Sequence, residues 1–201
     1  MICKGGDCMS KIDRLIKKNK GYITYSEAKK SGISYNDIKK KLVSGEVIKE
    51  DAGIYKLPDM YVDEYFTLQY RYHKGIYTLE TALWLHGLSV TVPFEPVMSF
   101  PYGTNTKLIK EAGVRPVILR SNYNIGIVEM ATPGGQSVKV YEKERVLAEC
   151  LRPIYKMDVQ IIAPAFKSYA SAGRINYAKL LIYAKMFKVE DKVLSYLEVI
   201  G

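Results

Sequence analysis

The chain has 201 residues, of which 48% are hydrophobic and 25% charged, and a formal net charge of +9; this is the composition of an ordinary globular protein with a sizeable core, so disorder is not the default reading. Three cysteines are too few and odd in number for a disulfide framework, and no apolar run reaches the roughly 20 residues that span a bilayer. The positive excess is uneven: residues 1–58 hold 13 Lys and Arg against 7 Asp and Glu, so the first part of the chain carries the stronger field for a polyanion such as nucleic acid or an anionic membrane face.

The opening MICKGGDCMSK has no continuous apolar core of the kind a secretory signal needs, so a cytoplasmic location is expected. Residues 1–9, with Cys3 and Cys8, read as a flexible leader. From Lys11 to Lys18, Ile12, Leu15 and Ile16 recur at helical spacing, and Asn19-Lys20-Gly21 stops the pattern. Tyr22-Ile23-Thr24 is long enough for a short strand. Ser26 reads as the cap of a short helix that Gly32 ends, and Ser34 as the cap of a third helix running to Leu42 or Val43, before Gly45. Glu46–Glu50 and Ile54–Leu57 are strand-like runs joined by Asp51-Ala52-Gly53, a hairpin connection.

Helix, strand, helix, tight turn, helix, hairpin is the order of a winged helix-turn-helix, with Ser31-Gly32-Ile33 as the turn. Pro58-Asp59-Met60 breaks the pattern. The expected fold class is therefore α+β: a DNA-binding domain over residues 10–58 and a second domain over 59–201, built on a small mixed sheet flanked by helices.

The third helix carries the candidate site. At 100° per residue, Tyr35, Ile38 and Leu42 fall on an inward stripe, Asn36, Asp37 and Lys40 point outward, and Lys39 and Lys41 lie on the flanks. Amide and ammonium groups on an outward face suit base edges and phosphates in a major groove. Lys39 and Lys41 suit phosphates, which fix position without reading sequence. Ser34 and the Tyr35 hydroxyl stand at the helix N-terminus, where a phosphate is favoured, and Lys49 and Lys56 extend the contact from the hairpin. The competing reading is a lysine-rich helix that is only a solvated face.

Further along, Tyr61–Tyr72 reads as a connecting helix. In TALWLHGLS, Ala82, Leu83, Leu85 and Leu88 form an apolar helix face that Gly87 ends, with Trp84 as a core anchor and His86 as a helix C-terminal cap or core residue. Strand-like runs follow at Pro96–Phe100, Arg115–Arg120, Ile125–Ala131 and Ser137–Val140, with a hairpin turn at Thr132–Gln136. Helices are expected over Glu142–Arg152, Asp158–Ser171, Asn176–Phe187 and Glu190–Val199, the last with Val189, Val193, Leu197 and Ile200 facing inward.

Catalysis is not expected. Glu142, Glu144 and Glu149 read as scattered over helix surfaces rather than clustered for a metal, and Cys150 as a buried core thiol without a histidine partner. No cofactor or metal is implied. Lys167, Arg174, Lys179, Lys185 and Lys188 are either solvated helix faces or a second basic surface that extends a DNA contact or receives a partner.

GIYTLETALWLHGLS (Gly75–Ser89) followed by Val97-Met98-Ser99-Phe100-Pro101, then YEKERVLAECLR (Tyr141–Arg152) and INYAKLLIYAKMFKVEDKVLSYLE (Ile175–Glu198), resemble the hallmark blocks of the AbiEi family of antitoxins from bacterial abortive-infection (phage defence) systems. With the N-terminal pattern, the resemblance covers nearly all of residues 10–200. It implies an autorepressor whose winged helix-turn-helix binds double-stranded DNA at inverted repeats in its own promoter, with several copies on the operator. It also implies a C-terminal domain that counteracts an AbiEii-like nucleotidyltransferase toxin without a stable complex, as in type IV toxin-antitoxin pairs. Two other readings stay open: an enzyme docked on nucleic acid by its basic domain, and a protein-interaction module without sequence-specific DNA binding.

Overall fold

A computed structural model describes residues 9–173 and 175–200. Cys3, Cys8, Arg174 and all but the last residue of the expected leader lie outside the described residues. The protein is α+β, with ten α-helices and two sheets among the described residues. It divides into two compact units, one holding the chain up to Arg71 together with Pro133–Gln136, the other holding Tyr72–Thr132 and the chain from Ser137 onward.

The first unit contains α1 (Lys11–Lys18), β1 (Tyr22–Thr24), α2 (Tyr25–Lys30), α3 (Tyr35–Val43), β2 (Ile48–Asp51), β3 (Ile54–Lys56) and α4 (Glu64–Arg71). Each of the first three helices starts on a capping box: Ser10 with Asp13, Thr24 with Glu27, and Ser34 with Asp37. In each box the cap hydroxyl takes the N3 amide and the N3 carboxylate returns to the cap amide, which satisfies two donors the helix itself leaves open. The cap of α2 is therefore Thr24 and not Ser26. Thr24 ends β1 with φ −98° and ψ 148°, the extended backbone a cap requires, and has a carboxylate at N3. Counted from Ser26, that position is Lys29, which cannot accept.

The strands pair antiparallel in the order β1-β3-β2. The hairpin turn is tighter than expected: Asp51 belongs to β2, where the register shifts between Lys49 and Asp51, and Gly53 takes φ +79°. Ile12, Ile16, Ile23, Ala28, Ile33, Ile38, Val47 and Tyr55 form the buried core, with Leu15 and Leu42 at its margin. This unit runs past the boundary expected at Pro58-Asp59-Met60, because α4 packs back on it. The Phe66 ring meets Tyr22 edge-on at 5.2 Å between centroids, and Arg71 pairs with Asp51 at 2.6 Å. The loop Pro133–Gln136 contributes Gln136, whose side chain accepts the Asp63 amide and donates to the Tyr61 carbonyl.

The second unit contains β4 (Ile76–Tyr77), α5 (Leu79–Leu85), β5 (Val97–Pro101), α6 (Lys107–Glu111), β6 (Arg115–Leu119), β7 (Ile127–Ala131), β8 (Ser137–Tyr141), α7 (Lys143–Cys150), α8 (Val159–Ser171), α9 (Tyr177–Phe187) and α10 (Glu190–Ile200). Its sheet runs β6-β5-β4-β8-β7 and is mixed: β5 with β6 and β4 with β8 are parallel, while β4 with β5 and β7 with β8 are antiparallel. The two-residue β4 and five-residue α6 were not expected, since neither is long enough to show a period.

At the centre lies α7, buried from Glu144 to Cys150. This corrects the expectation for its acids: Glu144 and Glu149 are buried, and only Glu142, just before the helix, keeps some exposure. Cys150 is a buried thiol whose pKa burial pushes well up. Trp84 is half-buried rather than a core anchor. The last expected stripe begins as read, with Val189 and Val193 buried and Leu197 half-buried. The side chain of Ile200 lies outside the described residues.

Helix α5 closes as its glycine requires: Gly87 takes φ +69° and the Leu88 amide reaches back to the Leu83 carbonyl at 2.8 Å. His86 occupies the C-cap position, yet its ring does not serve the helix carbonyls. Nε2 sits 2.7 Å from the Tyr141 carbonyl oxygen. Among the described residues no helix is long and apolar enough to cross a membrane.

Candidate nucleic-acid interface

Ile38 anchors α3: it is fully buried in the core, and Leu42 one turn on lies at the core margin. That orientation turns Asn36, Lys39, Lys40 and Val43 outward, and all four are exposed. Their spacing of i, i+3, i+4 and i+7 places them on one stripe. Lys39, Lys40 and, on β2, Lys49 hold no ion pair among the described residues, so their ammonium groups face water. Val43 is 81% exposed, and sequence reading missed it. A valine that ends a basic helical face is wasted on solvent but matches the C5-methyl of thymine. Its place four residues after Lys39 was the signal available in the sequence.

Other residues of the expected site are committed elsewhere. Lys41 ties α3 to α1 and to the loop before β2: its ammonium lies 2.8 Å from Asp13 and also pairs with Glu46. The pair raises the Lys41 pKa and lowers those of Asp13 and Glu46, the direct hydrogen bonds being the largest cause in each case. Lys56 pairs with Glu50 at 2.6 Å across the hairpin. Both lysines are thereby corrected from phosphate contacts to internal clamps.

The N-terminus of α3 is also occupied. The Ser34 hydroxyl donates to Asp37 at 2.8 Å and accepts the Asp37 amide at 3.2 Å. These bonds hold the Asp37 carboxyl below its usual range. The helix dipole has its counter-anion in Asp37, so Ser34 is a cap and not a phosphate ligand. Tyr35 departs from its expected inward position: at the first helical residue it lies beyond the core and is 51% exposed, edge-on to Tyr25 at 6.1 Å. Tyr25, itself 39% exposed, was not expected at the site.

Of the five basic positions expected in the second unit, the four described ones are not gathered at one cleft. Lys167 on α8 lines a groove with Pro164 and Tyr196, whereas Lys188, after α9, lines a different cleft with Arg152 and Phe187. Lys179 is paired with Glu142, and Lys185 is exposed on α9. Arg174 lies outside the described residues. Among the described residues no three His, Cys, Asp or Glu side chains stand together as a metal would require.

No protein-family model matches the chain, and no curated protein matches it in sequence. Among solved structures its fold is similar to the crystal structure of the RV2827C protein from Mycobacterium tuberculosis, with a TM-score of 0.51 and 11% identity over 93% of this chain and 79% of that one. At that identity the likeness extends to the fold alone.

Proposed function

We infer that the protein is a sequence-specific DNA-binding autorepressor that doubles as the antitoxin of a bacterial toxin-antitoxin pair, that it acts in the cytoplasm, and that it carries no catalysis. The observation that carries the DNA reading is the outward stripe of α3. An amide (Asn36), two ammonium groups without an ion pair among the described residues (Lys39, Lys40) and an apolar tip (Val43) project together from a helix anchored by the buried Ile38. The first unit is then read as a winged helix-turn-helix, with α2 and α3 crossing at Ser31-Gly32-Ile33 and β2-β3 as the wing. Asn36 and Lys40 read base edges, Val43 packs on a thymine methyl, and Lys39 and Lys49 hold phosphates.

The antitoxin half rests on the resemblance of Gly75–Ser89, Tyr141–Arg152 and Ile175–Glu198 to the AbiEi blocks. The partner it opposes is a nucleotidyltransferase toxin, with no stable complex needed. The DNA sites are inverted repeats upstream of its own gene, occupied by several copies.

Two measurements test the reading. Fluorescence anisotropy with the DNA upstream of the gene against shuffled DNA of equal length should show tighter binding to the former; equal affinities refute sequence-specific repression. Co-expression with the neighbouring gene's product should relieve its toxicity, and persistent growth arrest refutes the antitoxin role.

A further inference from the structure

The second unit contains a cleft of about 700 Å³ that a DNA-contacting role leaves unused. Its volume is that of a small-molecule site, for which about 300–1,000 Å³ is usual. Four of its lining residues are cationic, Arg115, Arg120, Arg152 and Lys188, and none of its described lining residues is Asp or Glu. Of the four, Arg115 is paired with Glu80. Arg120 lies over the Tyr102 ring at 5.0 Å, and Lys188 is exposed in the turn that ends α9.

One buried carboxylate lies beneath the cleft. Glu149, fully buried, is the one carboxylate serving two guanidinium groups: Arg145 Nε at 3.5 Å and Arg152 Nη1 at 3.8 Å. The Tyr155 hydroxyl (3.2 Å) and the Thr78 hydroxyl (3.4 Å) complete its shell. Thr78 stands at the N-cap of α5 but makes no capping bond there. Arg145 is itself completely buried. Its Nη1 donates to the Asn122 carbonyl of the cleft wall at 2.6 Å, while its Nη2 has no acceptor. Arg145 and Glu149 balance each other beneath the cleft, so Glu149 offsets Arg152 only in part, and Arg152 remains one of the four rim cations.

A second observation is independent of charge. Leu79, buried and part of the cleft wall, has φ +46°. A bulky residue pays for that left-handed backbone, and such strain collects at ligand sites. The apolar part of the wall includes Phe187, whose ring has the Arg152 guanidinium 5.2 Å from its centroid, and the exposed Ile154.

We propose that this cleft binds a phosphorylated small molecule of about nucleotide size, its phosphate on Arg120, Arg152 and Lys188 and its non-ionic part against Phe187 and Ile154. Guanidinium forks match phosphate oxygens in pairs, and the adjacent ring gives a planar group something to stack on. The lining residues all belong to the second unit, so the proposal stands whether or not α3 binds DNA.

Isothermal titration calorimetry on the full chain tests it, with AMP, ADP and inorganic pyrophosphate as probes and adenosine as the uncharged control. The phosphorylated probes should bind and adenosine should not. Arg120→Gln and Lys188→Gln, both at exposed positions and checked for unchanged melting, should each weaken binding about tenfold, and Lys40→Ala should leave it unchanged. Absence of heat up to millimolar concentrations overturns the proposal. So does an affinity equal to the parent's in Arg120→Gln or Lys188→Gln, loss of binding in Lys40→Ala, or binding of a short single-stranded oligonucleotide without binding of AMP, ADP or pyrophosphate.

Discussion

Arg145 and Glu149 stand one turn apart on α7, both completely buried, with Nε 3.5 Å from Oε2. Removing Arg145 leaves the buried Glu149 with Arg152, at 3.8 Å and half-buried, as its remaining cationic partner. Arg145→Met should therefore destabilise the protein by about 3–5 kcal/mol, whereas the double variant with Glu149→Leu should recover much of that loss. Urea unfolding of the two variants checks this. A double variant no more stable than the single one would place the stabilisation in the carbonyl contacts of Arg145 to Asn122 and Ile125 rather than in the pair.

On DNA, the α3 face should separate into readers and holders. Asn36→Ala, Lys40→Ala and Val43→Ala should each weaken operator binding more than binding to shuffled DNA, by about 1–3 kcal/mol for the two polar residues. Lys39→Ala and Lys49→Ala should weaken both alike. With three unpaired lysines neutralising about three phosphates per protomer, the log-log salt slope should lie near −2.7. Anisotropy titrations at several salt concentrations measure both quantities, and uniform losses for every variant would remove the base-reading role.

Lys41 should behave as a clamp. Lys41→Ala should lower Tm by about 2–4 °C with operator affinity little changed. Asp13 has its pKa lowered, chiefly by Lys41 and then by Ser10. Its contribution is therefore present above the unfolded value of about 3.9 and disappears as pH falls through the lower folded value. Melting curves from pH 6 down to pH 3 should show that loss in the parent and not in Asp13→Asn.

His86 predicts a second pH effect at higher pH. Burial lowers its pKa, with Lys143 adding to the shift while the Tyr141 carbonyl, Glu144 and Glu142 oppose it. The native ring is neutral and Nε2–H donates to Tyr141. Its stability contribution is complete above the unfolded pKa of about 6.5 and declines as pH falls below that value, levelling off once the folded pKa is passed. Urea midpoints between pH 5 and 8 should slope accordingly, and His86→Gln should flatten the slope.

What could be read in advance follows from distance along the chain. Ser34 and Asp37 are three residues apart, so their capping box is visible in the sequence, and Ile38 with Leu42 announces the inward side of α3. Thr24 was displaced by the more conspicuous Ser26 because strand and cap share one residue. Lys41 looked free because its partner Asp13 belongs to another helix. The α7 segment KERVLAEC reads as a surface helix, since nothing nearby reveals that Glu149 will meet a hydroxyl 71 residues earlier in the chain. Charged residues in a short helix suggest water until their counterparts are known, and here those counterparts arrive only with the fold.

The loop Pro133–Gln136 makes the first unit discontinuous in sequence. A gene fragment ending after Arg71 would encode every one of its helices and strands yet omit Gln136, stranding the Asp63 amide and Tyr61 carbonyl that this side chain satisfies. The first unit is thus not cleanly excisable, and swapping it between relatives at a single crossover point would carry over an incomplete part.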